Sequence, residues 1–226
     1  MNKLKKLEKF IIILNIIISI SFISLLVIGK WPNWWEYVIL ERSPMTWFES
    51  MLLWSCFMLC GGCLLFSILR EEKSKSILWI ILVLGFAFLT LDERFALHER
   101  IRDGFLAPKG IKIPLFFWTS AGDFILLVFM VIGLLMLPKI LKLFRERKTA
   151  LIFFIIGIFF AVTAILMDSL NVHEMSIEFL RVEQFIEEIF ETTGMLFFLN
   201  SLFLLFTDYF RKTFQMSVTT SEEKYN

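Results

Sequence analysis

Long apolar segments separated by short polar connections make up most of the chain. Six of them are long enough to cross about 30 Å of hydrocarbon as helices that rise about 1.5 Å per residue. They cover residues 10–29, 45–69, 77–97, 115–137, 150–167 and 185–210. No low-complexity linker separates them. The pattern predicts an all-α bundle of about six transmembrane helices, which forms one integral membrane domain over residues 1–226.

The composition supports this prediction. The chain is 58% hydrophobic and has a mean hydropathy of +0.74, which is more apolar surface than a soluble core of this size could bury. A net charge of +1 gives no electrostatic footprint for nucleic acid. The first apolar segment follows lysines as in a signal peptide, but it is long and lacks a small-residue cleavage site, so we expect a retained span.

Basic residues occur in alternate connections. They lie before the first segment, at Arg70 to Lys75, at Lys139 to Lys148 and after Arg211. The positive-inside rule therefore places both termini in the cytoplasm. This topology assigns 15 of the 23 lysines and arginines, but only 7 of the 22 acidic residues, to the inner side. We expect a protein of the cytoplasmic membrane whose acidic face lies outside, or in the periplasm.

Carboxylates from five predicted spans are expected at one depth near the outer surface. They are Glu49 on the second span, Asp92 and Glu93 on the third, Asp123 on the fourth, Asp168 at the end of the fifth, and Glu187, Glu188 and Glu191 on the sixth. A carboxylate in hydrocarbon costs about 3 kcal/mol unless it faces water, pairs or binds a cation. The layer therefore predicts a shared polar cavity.

Both histidines follow carboxylates in two similar phrases, LDERFALHE at 91–99 and MDSLNVHE at 167–174. Asp92 precedes His98 by six positions, and Asp168 precedes His173 by five. An unbroken helix would turn each pair to different faces, so convergence requires a bend or an unwound turn.

The sixth span adds an acidic stripe. Glu183, Glu187 and Glu191 follow an i, i+4, i+8 spacing, and Gly194 continues the stripe at a point where another helix could approach closely. Glu188 points about 100° away from the stripe. We expect it to pair elsewhere.

Two histidines among carboxylates of a helical bundle favour a divalent metal, namely zinc, manganese or iron. The predicted metal ligands are His98, His173, Asp168 and Glu191. The candidate catalytic residues are Asp92, Glu93, Glu187 and Glu188, and the other site-lining residues are Glu49, Asp123, Glu99 and Glu174. A metal-activated water, with a carboxylate as proton acceptor, would give a hydrolase for a lipid or lipid-linked substrate.

Other interpretations stay open at this point. Intramembrane acids also serve proton- or cation-coupled transporters and channels, for which the inner half offers Asn200, Ser201, Thr207 and Asp208. The acids could instead form a structural salt-bridge layer with Arg94, Arg100, Arg102 and Arg181. Haem ligation by both histidines and a non-catalytic helper subunit are further alternatives. The pattern names no substrate and no oligomeric state.

Three cysteines, Cys56, Cys60 and Cys63, share one face of the second span. Their i, i+4, i+7 spacing on a single helix disfavours disulfides. Small buried packing residues are the favoured interpretation, ahead of a metal or redox role.

The LDE and HE phrases, the glutamate at the start of the second span and the EExxE of the sixth resemble an uncharacterised family of bacterial multi-span proteins. That resemblance covers most spans and implies no activity. A looser similarity is to membrane hydrolases related to alkaline ceramidases, which implies a seven-span zinc enzyme with three histidines, an aspartate and a serine. The present chain has two histidines and about six spans, so ceramidase activity is not transferred to it.

Overall fold

The fold is a bundle of long helices, seen in a computed structural model that describes residues 2–40, 43–169 and 176–223. Its α-helices are α1 (Asn2–Gly29), α2 (Trp35–Val38), α3 (Pro44–Leu69), α4 (Lys73–Phe95), α5 (Leu97–Ile101), α6 (Ile125–Phe144), α7 (Lys148–Asp168) and α8 (Ile177–Glu223). Six of these are long and apolar enough to cross a membrane, and the described residues contain no strand. The predicted all-α, six-span architecture is confirmed.

Two spans differ from the predicted bounds. The fourth begins at Ile125 instead of near Leu115, because Pro114–Phe116 forms a separate 3₁₀ turn and Gly122 adopts a positive φ of 83°. The sixth belongs to a helix of 47 residues, which is about 70 Å long. That length is more than twice the hydrocarbon thickness, so part of α8 extends beyond the membrane.

The core lies where α3 packs against α4 and α8, and where α7 packs against α8. Cys56, Cys60 and Cys63 are buried there as free thiols, which supports their interpretation as packing residues. A Cβ on Gly194 would lie 3.2 Å from the backbone oxygen of Gly157. The close helix approach predicted at Gly194 is therefore present, between α7 and α8.

The alternation of six spans separates two ends of the bundle. The start of α1, the α3–α4 turn, the α6–α7 connection and the region of α8 around Asp208 share one end, which we call the basic end. Ion pairs join these segments, including Lys75 Nζ to Glu146 Oε1 at 3.5 Å. The opposite end, called the acidic end, contains the start of α3 and the ends of α4 and α7. Which end faces the cytoplasm stays a prediction.

Local sequence signals position the first acidic helix at this end. Ser43 caps α3, since its Oγ accepts from the backbone N–H groups of Met45 at 3.1 Å and Thr46 at 3.3 Å. Pro44 follows at the first helical position, where its missing N–H carries no penalty. The cap fixes the start of α3, so that Glu49 lies on its second turn.

Candidate functional site

Helix α4 ends because Ala96 adopts the left-handed conformation, with a φ of 47°. The reversal brings His98 back to the end of α4, where Asp92 accepts two hydrogen bonds from it. The backbone N–H donates to Oδ1 at 2.7 Å, and ring Nδ1 donates to Oδ2 at 2.8 Å. The bend that the sequence required for this pair exists. Alanine at positive φ is strained by about 1 kcal/mol or more. The hydrogen bonds that this bend allows with Asp92 fix the imidazole ring.

The environment of His98 favours its charged form. Burial alone lowers the pKa of His98, but the hydrogen bond and the charge of Asp92, helped by Asp168 and Glu99, raise the net pKa above 6.5. Because Nδ1 is held by Asp92, Nε2 is the nitrogen left to exchange a proton. His98 lines the main cavity described below.

Three glutamates from α3, α4 and α8 converge at the acidic end. One carboxylate oxygen from each of Glu49, Glu93 and Glu191 lies within 4.8 Å of the other two. Oxygens that bind one cation at about 2.0–2.6 Å are at most about 5 Å apart. We call Glu49, Glu93, Glu191 and the neighbouring Glu188 the carboxylate cluster. Its first three members have the spacing needed to bind a single ion.

Glu49 is the most buried member of the carboxylate cluster, with 0% of its surface exposed. Its Oε1 accepts from Thr192 Oγ1 at 2.6 Å, whereas Oε2 has no hydrogen-bond donor. The carboxyl groups of Glu93, Glu188 and Glu191 are close enough to repel its charged form. Among the described residues, no lysine or arginine pairs with any cluster member. Carboxylates in such contact repel unless they share a proton or bind a cation.

Arg102 gathers a separate group of acids outside the carboxylate cluster. Its guanidinium lies 2.8 Å from Asp103, 3.2 Å from Asp123 and 3.5 Å from Glu99. The hydrogen bond and the charge of Arg102 lower the pKa of Asp103. Of the four arginines expected to neutralise acids, Arg102 does so here, and Arg181 instead lies 3.6 Å from the ring centre of Trp35. Among the described residues, the ion pairs of this region centre on Arg102, and the wider layer of four arginines stays a prediction.

A cavity of about 570 Å³ lies between α3, α4, α6, α7 and α8. Its polar lining gathers at the acidic end and includes Asp92, Glu93, His98, Glu99, Asp168, Glu187, Glu188 and Glu191. Thr46 and Arg94 also line the cavity, and the remaining wall is apolar, with Leu82, Phe129, Met136, Ile140, Phe154 and Phe198. Cavities of about 300–1,000 Å³ are typical of small-molecule sites. This one has a polar head and an apolar body.

A second, very small cavity adjoins the first. It measures about 10 Å³ and is lined by His98, Asp123 and Asp168 among others. That volume is close to the minimum for one water molecule. The polar lining would give such a water several partners.

The structure describes ten of the twelve predicted site residues, while His173 and Glu174 lie outside the described residues. Eight of the ten line the main cavity, and Glu49 adjoins them through the carboxylate cluster. Asp123 differs, because it precedes α6 instead of lying on the fourth span, and it pairs with Arg102. Glu188, which was expected to pair away from the acidic stripe, lies near Glu49 of α3.

The predicted ligand set and the geometric cluster overlap only in part. Of the predicted ligands His98, Asp168 and Glu191, only Glu191 belongs to the group of three oxygens. Glu49 and Glu93, predicted as a site-lining and a catalytic residue, complete that group. Asp92 engages Nδ1 of His98, and so His98 stands beside the cluster as an oriented imidazole.

Sequence reasoning missed two residues that shape the site. Thr192 donates to Glu49, and a hydroxyl directly after Glu191 in an apolar span was the available signal. Ala96 forms the bend, but alanine is a strong helix former, so no local preference announced it. The apolar body of the cavity was also missed, because apolar positions look alike whether they face lipid or an internal space.

The polar residues of the basic end are engaged with one another. Asn200 accepts from Asn15 at 2.9 Å, and Ser201 donates to the backbone oxygen of Ala150 at 2.6 Å. Arg147 binds Glu8 and Asp208, each with a closest approach of 2.7 Å, and Thr207 donates to Glu8 at 2.7 Å. The four candidates for an inner-half ion path therefore all have partners within the bundle.

A family model described as a domain of unknown function (DUF8692) matches residues 12–206. The chain belongs to this family. The match includes every described member of the carboxylate cluster, and it agrees with the expected resemblance to an uncharacterised family. No curated protein and no solved structure matches the chain.

Proposed function

We propose that this protein is a metal-dependent membrane hydrolase that acts on a lipid or lipid-linked substrate. The observation that carries the proposal is the carboxylate cluster, with an undonated oxygen of fully buried Glu49, beside a cavity whose body is apolar. Unpaired buried charge is unfavourable without a partner. A divalent cation would supply that partner, and an amphiphile would fill the cavity.

The donor atoms favour a hard cation. Glu49, Glu93 and Glu191 offer only carboxylate oxygens, which suit Mg²⁺, Mn²⁺ or Ca²⁺ better than the softer metals. Manganese is therefore the best supported of the three metals expected from the sequence. When bound, such an ion would lower the pKa of a coordinated water and so generate a nucleophile.

Proton transfer falls to the residues beside the carboxylate cluster. Asp92 holds Nδ1 of His98 at 2.8 Å, which leaves Nε2 to accept a proton when the ring is neutral, above its raised pKa. This pairing is the geometry expected of a general base with a carboxylate that orients it. Glu187 and Asp168, which also line the cavity, are the alternative proton acceptors.

The basic end argues against an ion-coupled transporter. A permeation path would need polar groups through the inner half of the bundle. Asn200, Ser201 and Asp208 are instead engaged in interhelical bonds. The residues available for binding or catalysis therefore lie at the acidic end, as expected for a site that is reached from one side of the membrane.

The proposed location follows from charge. If the basic end faces the cytoplasm, as the positive-inside rule predicts, the carboxylate cluster lies near the outer leaflet. We propose that the protein resides in the cytoplasmic membrane and takes its substrate from that leaflet. Accessibility labelling of an engineered cysteine near Trp118 in intact cells would test the orientation.

Elemental analysis tests the metal. The protein is purified in mild detergent, incubated with Mn²⁺ or Mg²⁺ and desalted, as wild type and as Glu49→Gln, Glu93→Gln and Glu178→Gln. Glu178 is the matched control, since it is exposed on α8 and away from the cavity. We expect about one ion per wild-type and Glu178→Gln chain, and a loss of at least about tenfold in affinity in the other two. Equal metal content in all four proteins would refute the site.

A further inference from the structure

The apolar body of the main cavity has the length of a lipid chain. Its lining extends along α4 from Glu93 to Ile81 and along α7 from Asp168 to Phe154. These stretches span about 18 and 21 Å at 1.5 Å per residue. One leaflet of hydrocarbon is about 15 Å thick, so the cavity is deep enough for a chain that reaches to the middle of a membrane.

Helix α6 forms the loosest wall of this cavity. It packs sparsely against both α4 and α7, in contrast to the close α3–α4 and α7–α8 pairs. Near the acidic end, α4 and α6 meet through stacked rings of Phe88 and Phe129, whose centres are 4.9 Å apart. Pro138 adds to the looseness, because it cannot donate to the carbonyl of Leu134 within the helix.

Further from the acidic end, the cavity meets the outer surface between α4 and α6. Leu84 is 64% exposed and Ile132 is 55% exposed, although both line the cavity. Gly85 and Gly133 line the same region, and a Cβ added at either would meet nothing within 4 Å. The space left by these two glycines lies at the surface that faces lipid.

We infer that one hydrocarbon chain of a membrane lipid enters laterally between α4 and α6 and lies in the apolar body of the cavity. The opening is bounded by the Phe88–Phe129 stack on the side of the acidic end. The polar group of the lipid then reaches the carboxylate cluster. Only the placement of the polar group at the carboxylate cluster rests on the proposed function. Binding of the hydrocarbon chain depends on the apolar wall alone.

The lining favours a lipid chain over other occupants. A small polar solute would make no favourable contact with the apolar body. A peptide helix of about 10 Å diameter is too wide for a cavity of about 570 Å³. A flexible chain already dissolved in the surrounding hydrocarbon can enter from the side without crossing water. The structure therefore assigns a substrate class, namely lipids with at least one chain of about one leaflet's length.

Photocrosslinking tests the inference. The protein is reconstituted into vesicles of phosphatidylcholine and phosphatidylglycerol with a phosphatidylcholine that carries a mid-chain diazirine. Labelled peptides are then mapped by mass spectrometry. Leu82, Ile140 and Phe154 are informative, because they line the cavity and are at most 8% exposed, so surrounding lipid does not reach them. Leu65, which is 64% exposed and lies outside the cavity, reports surrounding lipid.

The variants fill the opening without breaking the helices. Gly85→Leu and Gly133→Leu place bulk in the empty space, and Gly61→Leu is the matched control, because it also meets open space but lies outside the cavity. We expect at least about tenfold less labelling of the three buried residues in the first two variants. Labelling of the three buried residues should stay at the wild-type level in Gly61→Leu, and Gly85→Leu and Gly133→Leu should keep wild-type labelling at Leu65.

The outcomes separate this inference from the proposed function. Labelling confined to Leu65, or equal cavity labelling in all variants, overturns lateral chain binding. Metal content is measured on the same samples. A labelled cavity in a protein that binds no metal supports chain binding and refutes the proposed hydrolase. One metal ion per chain with an unlabelled cavity supports the proposed metal site and refutes chain binding. Size-exclusion profiles check that each variant is folded.

Discussion

The two ends of the bundle treat buried acids in opposite ways. At the basic end, Arg147 binds Glu8 and Asp208, and Thr207 satisfies Glu8 as well. At the acidic end, Glu49 and Glu93 lie against other carboxyl groups instead of arginines. Even at the acidic end Arg102 pairs with Asp123 and Glu99, so the missing cation is specific to the carboxylate cluster, as the proposed metal site requires.

The comparison of the two ends also shows that the ion pairs of the basic end have a structural role. The Arg147 network ties α1, α8 and the start of α7 together. Burial opposes the charge of Arg147, but hydrogen bonds to Glu8 and Asp208 raise its pKa above the usual value. Such a network holds the fold together, because removal of one partner leaves the others as buried charges without a counterion. The carboxylate cluster lacks this property, so its removal should affect binding before it affects the fold.

The largest expected effect comes from breaking the basic end. Arg147→Met leaves Glu8 and Asp208 without their shared cation, and we expect a loss of about 3–5 kcal/mol in the free energy of unfolding. Lys212→Met is the control, since it removes an ion pair with Glu146, which is 60% exposed, and should cost less than about 1 kcal/mol. Thermal unfolding in detergent measures both. Equal losses would mean that the Arg147 network is no more important than a surface pair.

The second effect concerns the carboxylate cluster without and with metal. In chelator, Glu49→Gln should be at least as stable as wild type, because it removes a like charge and Thr192 can still donate to the amide oxygen. Mn²⁺ at 100 times the wild-type dissociation constant should stabilise wild type by about 2.7 kcal/mol, and the variant, whose affinity is at least about tenfold lower, by at most about 1.4 kcal/mol. A strongly destabilised variant that Mn²⁺ stabilises as much as wild type would make the cluster structural, like the basic end.

Sequence patterns predicted most of the fold. Lengths and hydropathy of the six apolar segments suffice for the spans, because a continuous apolar segment of about 20 residues crosses lipid as a helix that satisfies its own backbone groups. The fourth span was misplaced by about ten residues, because the apolar run from Leu115 to Trp118 was joined to α6 although Pro114 begins a separate 3₁₀ turn and Gly122 turns the chain before α6. Turn geometry outweighed hydropathy there.

The sequence predicted which residues belong to the candidate site better than it predicted which of their side chains touch. Counting residues from the helix ends placed Glu49, Glu93 and Glu191 at one depth, and they meet. Which carboxylates touch depends on helix rotation, and nearly uniform apolar spans give little information about rotation.

A third prediction concerns Asp92, the cavity acid that pairs with His98. The pKa of His98 is raised above 6.5 by Asp92 after burial is offset, so their ion pair stabilises the fold fully below pH 6.5. That contribution disappears as the pH rises through the raised pKa. Asp92→Asn should therefore cost about 1 kcal/mol at pH 6, and less at high pH.

Nuclear magnetic resonance of labelled histidine gives the direct measurement. The imidazole of His98 should titrate above 6.5 in the wild type and at a lower pH in Asp92→Asn. His173→Gln, used as the background, leaves a single histidine to observe. A titration that Asp92→Asn does not move would mean that the pair is not formed in the membrane protein.

The smallest effect compares two left-handed residues, one at each end. Ala96 has a φ of 47° at the acidic end, and Glu71 has a φ of 55° at the basic end. Glycine adopts this conformation without the Cβ penalty, so Ala96→Gly and Glu71→Gly should each stabilise the fold by up to about 1 kcal/mol. Ala87→Gly, within α4, is the control and should destabilise by about 1 kcal/mol.

The two glycine variants should differ in one respect. Glycine at 96 loosens the turn that holds His98 against Asp92, whereas Glu71 lies far from the cavity. We therefore expect Ala96→Gly to lower the His98 pKa towards 6.5 while Glu71→Gly leaves it unchanged, as measured by the same titration. Unchanged titration in both variants would show that the Asp92 hydrogen bonds alone position the ring. A shift only in Ala96→Gly would show that backbone strain at the acidic end is retained to orient the imidazole.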